Sequence, residues 1–488
     1  MVILTNFEFF LPEIFLTVNL LLILLYSVVY SYKSNQPLLD YKLAIRNFSL
    51  LNLLLTLALL FVLNFSNFEF ISGSLLLSNS LIVMIKIIIL LSSIVILLLD
   101  NKFINYEFSL LITLANLGMM VILSSNDLII LYLGIELLSL TLYILATLNN
   151  KGELSTEAGL KYFIIGAVSS GLLLIGCALI YSNTGFTDYI NIENFMFYDN
   201  SINIGGILII ISMLIKLAVA PFHMWAPDVY DGSPTIVTTF FAIVPKLALL
   251  GALITLLTGP LLGIFENLQE FLMISASLSI IIGTFGALNQ IKLKRLFAYS
   301  AIGHIGFILI GLSTISLNGL ISTLIYFILY IVMTLLTFTM IINIAPNSAN
   351  PITLLIGLSR NNPLLAISFS LSLLSIAGVP PLAGFLSKFY ILVSALQNDM
   401  WVVTIIAVIS SMISAFYYLQ LIKLMWFKDS FEFNYKVLSD ISTLSFKNLS
   451  LVNSTIISIS LYIVLTALIN PNPIIVIVNE MIMTSLLV

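Results

Sequence analysis

A single cysteine, Cys177, in 488 residues leaves this chain no internal disulfide and no cysteine-ligated cluster. Its two histidines fall on different predicted helices, so ligating a haem would require both to face one cavity, and none is expected. No glycine-rich loop follows a strand, and no stretch reads convincingly as a strand, which removes the nucleotide-binding folds. The chain is therefore expected to carry no redox cofactor and no metal. Charge is also scarce. Asp, Glu, Lys and Arg make up 8% of residues against 60% hydrophobic ones, and the mean hydropathy is +1.16. No water-soluble domain hides that much apolar side chain, so the chain reads as an all-α protein integral to a membrane. The net charge of −4 is small and says little about partners. Nucleic acid is not expected among them.

What the sequence does hold is a succession of apolar runs, each long enough to cross hydrocarbon as a helix that pairs its own backbone. About fourteen spans are predicted, near 9–32, 43–64, 80–99, 108–125, 127–148, 158–182, 204–224, 236–258, 270–288, 296–315, 317–344, 363–397, 400–426 and 449–469. The first has no basic leader and no small-residue cleavage site, so it reads as a retained span rather than a removable signal. No Arg- and Ser-rich leader precedes it, which for a mitochondrial protein points to synthesis inside the organelle.

With this numbering the charges between spans segregate. Lys33, Lys42, Arg46, Lys102, Lys151, Lys292, Lys294, Arg295, Arg360, Lys428, Lys436 and Lys447 fall on one side, with Lys423 at the end of its span. Glu69, Asp127, Asp188, Glu193, Asp199, Glu266, Glu270 and Asp399 fall on the other. The positive-inside rule puts the basic face in the matrix or cytoplasm and both termini on the outer, electrically positive side.

Two predicted spans are broken. The seventh contains Pro221 five residues after Lys216, and the twelfth carries Gly378, Pro380, Pro381 and Gly384 ahead of Lys388. A proline supplies no backbone donor to the carbonyl four residues back, here Leu217, Ile376 and Ala377. Such gaps survive in a membrane where they are buried in protein or line a wet cavity. Interrupted helices at matching places in two halves mark transporters built from inverted repeats. The breaks lie five spans apart, which predicts spans four to eight repeated as nine to thirteen. The expected organisation is an N-terminal three-helix segment (1–107), two antiporter-like repeats (108–258 and 259–426), and a matrix-side loop with the last span and tail (427–488).

Ionisable residues inside the spans are expensive and ask for a partner or a role. Glu136 lies near the middle of span five, where Ser139 or a tyrosine offers a plain structural partner. Lys216 precedes the first break, Lys246 follows Pro245 at the centre of span eight, and Lys388 sits beyond the second break. Burial disfavours the charged form of a lysine and a nearby carboxylate favours it, so a line of such groups can pass protons. Lys161 lies about a turn inside span six, close enough to snorkel to the basic face. Lys86, near the acidic face, is read as a snorkelling side chain. His304 in span ten reads equally as a proton relay or as a packing hydrogen bond. His223 is read as capping the turn before Trp225.

Four motifs carry a resemblance. They are KLAVAPFHMWAPDVYDGSPT at 216–235, STEAGLKYF at 155–163, KRLFAYSAIGH at 294–304 and GVPPLAGFLSK at 378–388. Their order and spacing resemble the NADH dehydrogenase subunit 2 family, the antiporter-like membrane subunits of respiratory complex I. The likeness covers spans four to thirteen. The first three spans and residues 183–203 match in position and hydrophobicity only, and Ala301 and Ile236 differ from residues common in the family. Fourteen spans look like the full-length bacterial, plant or protist form rather than the shortened animal one.

The resemblance implies a proton-translocating subunit in which Glu136 and Lys216 interact in one half-channel. It makes Lys246 the central relay and Lys388 the residue nearest the exit or the next subunit. Lys161 would tune the pair and His304 would bridge the relay. Redox chemistry, with FMN, iron–sulfur clusters and ubiquinone, would belong to other subunits. Expected partners are the other membrane-arm subunits, neighbouring antiporter-like ones among them, and membrane lipids. The expected location is the mitochondrial inner membrane, or a bacterial plasma membrane. A stand-alone Mrp-type cation/proton antiporter would use the same scaffold, and a passive spacer with a vestigial charge line is the third reading.

Overall fold

The structure is a computed structural model that describes residues 10–32, 38–64, 71–72, 75–100, 106–149, 152–195, 200–344, 351–427 and 450–483. The basic residues Lys33, Lys102, Lys151, Lys428, Lys436 and Lys447, and the acidic Glu69 and Asp199, lie outside them.

The apolar runs form helices, in chain order α1 (Leu11–Tyr32), α2 (Leu38–Asn64), α3 (Ser80–Leu99), α4 (Tyr106–Ser124), α5 (Leu128–Ala146), α6 (Glu153–Thr184), α7 (Tyr189–Phe195), α8 (Asn200–Lys216), α9 (Trp225–Gly232) and α10 (Thr235–Thr258). They continue as α11 (Phe265–Leu288), α12 (Leu293–Ser313), α13 (Leu317–Ile344), α14 (Leu358–Asn361), α15 (Pro363–Ala377), α16 (Ala383–Gln397), α17 (Trp401–Phe427), α18 (Leu451–Ile469) and α19 (Asn472–Met483). Between α2 and α3, β1 (Ile71–Ser72) pairs antiparallel with β2 (Leu77–Ser78). The expectation of no strand is corrected here. Two paired residues are too few to leave an alternating pattern in a sequence.

Among the described residues, 12 helices are long and apolar enough to cross a membrane. The predicted seventh and twelfth spans fall short because each is interrupted. Helix α8 ends at Lys216, earlier than Pro221, and Ala218 adopts a left-handed φ of 59°. The predicted twelfth span is two helices of 15 residues each, α15 and α16. Gly378, with φ at 88°, closes α15, its N–H donating to Ser375 O at 2.9 Å while Val379 N–H reaches Leu374 O at 3.1 Å. This is a Schellman ending, which needs the left-handed conformation that glycine adopts without a steric penalty.

The chain divides into two compact units, one of which comprises Met1–Leu217, Ile243–Leu268 and Asn479–Val488. In it α1 and α3 both pack on α2, α4 lies against α5, and α6 runs along α8. A Cβ on Gly118 of α4 would stand 3.0 Å from the Leu138 nitrogen, and one on Gly176 of α6 would stand 2.8 Å from the Gly205 oxygen. Small residues at these points let membrane helices touch backbone to backbone. Asp127 caps α5, accepting from Ile129 N–H at 2.7 Å and from the Thr187 hydroxyl at 2.8 Å. That cap fixes the depth of Glu136, nine residues along.

The other unit comprises Ala218–Ala242 and Gln269–Val478. Here α12 packs against α9, α13 and α16, and α13 also packs against α15. Short α9 is tied to the start of α12 by Lys292–Asp231 at 2.7 Å and Arg295–Asp228 at 2.5 Å. Between them Lys294, only 1% exposed, donates to Ser233 O at 2.8 Å.

Candidate functional site

Four of the sequence-predicted residues belong to the first unit. Lys216 is the last residue of α8, at the end where unpaired carbonyls give a helix its partial negative charge. Glu136 of α5 stands close enough for its charge to act on Lys216. The Glu136 carboxylate receives a long 3.4 Å hydrogen bond from Ser139 Oγ through Oε2, while Oε1 has no hydrogen-bond partner among the described residues. Tyr132 and Tyr143 also lie within electrostatic reach of it. The plain partner expected from sequence, Ser139, is therefore present and satisfies only one of the two oxygens. Lys246 is buried at the middle of α10, directly after Pro245 inside the helix. Lys161 is different. Its side chain is 42% exposed and pairs with Glu157 one turn earlier on α6 at 2.7 Å. Exposed pairs of that spacing contribute about 0.3–0.5 kcal/mol in water.

The expectation that Lys86 snorkels is corrected. It is 2% exposed and forms an ion pair with Glu13 of α1. The reason is a carboxylate on the first turn of α1, which the apolar reading of that span left without a role.

The second unit holds the other two. Lys388, on α16, reaches back over Gly378 and donates to Ala377 O at 2.8 Å. A Cβ on Gly378 would lie 2.9 Å from Lys388 Cδ, so glycine serves both the turn and the passage of the lysine. The ammonium also sits 5.4 Å from the ring centroid of Phe307. His304 Nδ1 shares a 2.6 Å hydrogen bond with the Tyr326 hydroxyl, and its ring lies 5.4 Å from that of Tyr330. His223 is buried in the first break, beside Tyr299.

Glu13, Phe307, Tyr326 and the buried Lys294 were not singled out by sequence reasoning. For Phe307 a signal existed, since it lies three residues after His304 and so on the same face of α12. Among the described residues no cluster of His, Cys, Asp or Glu could hold a metal ion. What the arrangement offers is basic groups set inside apolar helices: Lys216 within reach of a carboxylate, Lys388 against a carbonyl and a ring, His304 against a hydroxyl, and Lys246 buried at mid-helix. Such groups can bind and release protons.

Residues 125–414 match the family described as NADH:quinone oxidoreductase/Mrp antiporter, TM. The chain is similar to NADH-quinone oxidoreductase subunit N of Pelagibacter ubique, 39% identical over 445 residues, which cover 88% of this chain and 93% of that one. It is also similar to NADH-ubiquinone oxidoreductase chain 2 of Marchantia polymorpha, 38% identical over 441 residues, covering 85% and 88%. Its fold resembles a chain in the structure of respiratory complex I from Thermus thermophilus with bound aureothin. The TM-score is 0.79 at 28% identity, covering 95% of this chain and 98% of the other.

Proposed function

Since this chain belongs to the NADH:quinone oxidoreductase/Mrp antiporter membrane family, we propose that it is the proton-translocating membrane-arm subunit of an NADH:ubiquinone oxidoreductase, respiratory complex I. The observation that carries the reading is the second helix break, where a buried lysine holds the carbonyl end of a half-helix. The relatives named subunit N and chain 2 favour it over the Mrp-type antiporter.

The chain spans the membrane fourteen times, with α15 and α16 together forming the twelfth span and both termini on the outer side. Spans four to eight and nine to thirteen form two inverted repeats, each with one broken helix. Glu136 and Lys216 act as the pair that receives the driving signal. When the influence of an anionic neighbour on Lys216 weakens, the ammonium loses its counter-charge and passes its proton towards Lys246. From there the proton moves by way of His304 to Lys388, the last residue of the line. Each added positive charge disfavours the next, so the lysines titrate together rather than singly. Lys161, held by Glu157, tunes the charge near Glu136.

Electron transfer through FMN, iron–sulfur clusters and ubiquinone takes place in other subunits, and this chain holds none of these groups. Its partners are the other membrane-arm subunits, including further antiporter-like ones, and lipids. Its place is the mitochondrial inner membrane, with a bacterial plasma membrane as the alternative, since relatives of both kinds match. The test is a mild-detergent native gel of the source membrane, stained for NADH oxidation and probed for this chain. Co-migration with a large NADH-oxidising band is expected. Migration as a small species without that activity would contradict membership.

A further inference from the structure

Phe307 touches two parts of the proposed relay. In one, His304 Nδ1 and the Tyr326 hydroxyl share a 2.6 Å hydrogen bond. Phe307 stacks on the Tyr326 ring, with centroids 6.1 Å apart and planes 13° from parallel. In the other, the Lys388 ammonium stands 5.4 Å from the Phe307 centroid. Phe307, Tyr326 and Lys388 are all buried. A phenyl ring has no atom that carries a proton along a hydrogen-bonded chain. It does have an electron-rich face that attracts a cation, more strongly where water is excluded. Among the described residues no carboxylate forms an ion pair with Lys388, and its charge is met by Ala377 O and by this ring.

We infer that Phe307 is a gate between the His304–Tyr326 pair and Lys388, held shut by the charge of Lys388 itself. With Lys388 as the ammonium, the ring is drawn to it and the gap stays dry. Once Lys388 has given its proton onward, the neutral amine no longer attracts the ring, which moves aside and admits water. A proton then leaves the His304 imidazolium, crosses that water and bonds to the Lys388 nitrogen. Neutral imidazole and ammonium are formed with no change in electrons, and the ring is drawn back. The device passes one proton at a time and blocks return while Lys388 is loaded. Phe307 is thus a positioning residue, acting through Lys388 and through water access. The inference rests on Lys388 being the end of the relay.

The experiment uses the assembled complex in sealed membrane vesicles and measures protons moved per NADH oxidised, at matched amounts of complex. Three variants are compared, F307L, F307Y and K388M. Leucine keeps an apolar plug without a π face, whereas tyrosine restores the face. The gate predicts that F307L goes on oxidising NADH with a loss of protons per NADH, and that F307Y recovers most of that loss. A wild-type ratio in F307L, alongside lost proton movement in K388M, would overturn the gate and leave the relay standing. Equal losses in F307L and F307Y would assign the effect to ring fit and also overturn it. Unchanged proton movement in K388M would overturn the relay reading itself, and the gate with it.

Discussion

Lys388 of α16 donates to the carbonyl of Ala377 at the end of α15, 2.8 Å across the second helix break. In an unbroken helix that carbonyl would accept from residue 381, which is a proline with no N–H to give. The lysine therefore supplies the donor that the backbone lacks. Its charge also rests at the partial negative end of a helix, an interaction typically worth 0.3–1 kcal/mol at exposed sites and up to ~2 in partly buried ones. Structure and proposed transport are joined at one atom, because a lysine that gives up its proton also weakens its hold on the break.

Replacing Lys388 by Met leaves the Ala377 carbonyl without its donor in a buried place. Orphaning such a group costs about 1–3 kcal/mol. The complex with K388M is expected to lose its native-gel band at a lower temperature than wild type, while K388R, which keeps a donor, falls between the two. Equal heat resistance of K388M and wild type would show that the break does not depend on the lysine.

Glu136→Gln keeps the side-chain oxygen that Ser139 meets and removes the charge acting on Lys216. The variant is expected to assemble in normal amount and to translocate protons at a small fraction of the wild-type rate. Glu136→Asp is expected to retain part of the rate. Normal proton movement in E136Q would remove this carboxylate from the mechanism.

How much of this was legible beforehand can be argued from particular residues. The prolines of the second break named Ala377 as a freed carbonyl, and that is the oxygen Lys388 meets, because the cause is local and covalent. Lys216 and Glu136 were legible as charges too deep in apolar runs to be accidental. Their approach depends on how α5 and α8 are placed, and no single helix carries that information. Lys86 misled for the same reason. Its partner lies 73 positions away on α1, so only packing could show that it is paired rather than snorkelling. The end of α8 at Lys216 rather than at Pro221 was likewise hidden, since Ala218 takes a left-handed φ that no alanine advertises.

The Glu13–Lys86 pair yields a stability prediction. Breaking a buried ion pair from one side leaves an uncompensated charge and costs about 3–5 kcal/mol, whereas replacing both partners can be nearly neutral. K86M alone is expected to lower the amount and heat resistance of the assembled complex sharply, and E13Q/K86M to recover most of both. If the double variant is no better than the single, the pair is not what Lys86 contributes.

Asp228 and Lys294 give a contrast on one short stretch. In the Arg295–Asp228 pair the side chains are 37% and 31% exposed, so D228N should cost no more than about 1 kcal/mol, as surface pairs do. Lys294 is 1% exposed and holds the Ser233 carbonyl, so K294M should cost more. Heating the complex and following NADH oxidation ranks the two. The reverse order would mean that the ion pairs, rather than the buried lysine, hold α9 on α12.

Lys246 gives the most direct measurement. It is buried at the centre of α10, and the account requires every translocated proton to visit it. Sealed vesicles carrying Lys246→Met, matched to wild type for assembled complex, would be given NADH and followed for proton movement across the membrane. The account predicts that the rate falls to a small fraction of wild type. A wild-type rate of proton movement from a normally assembled complex would contradict it.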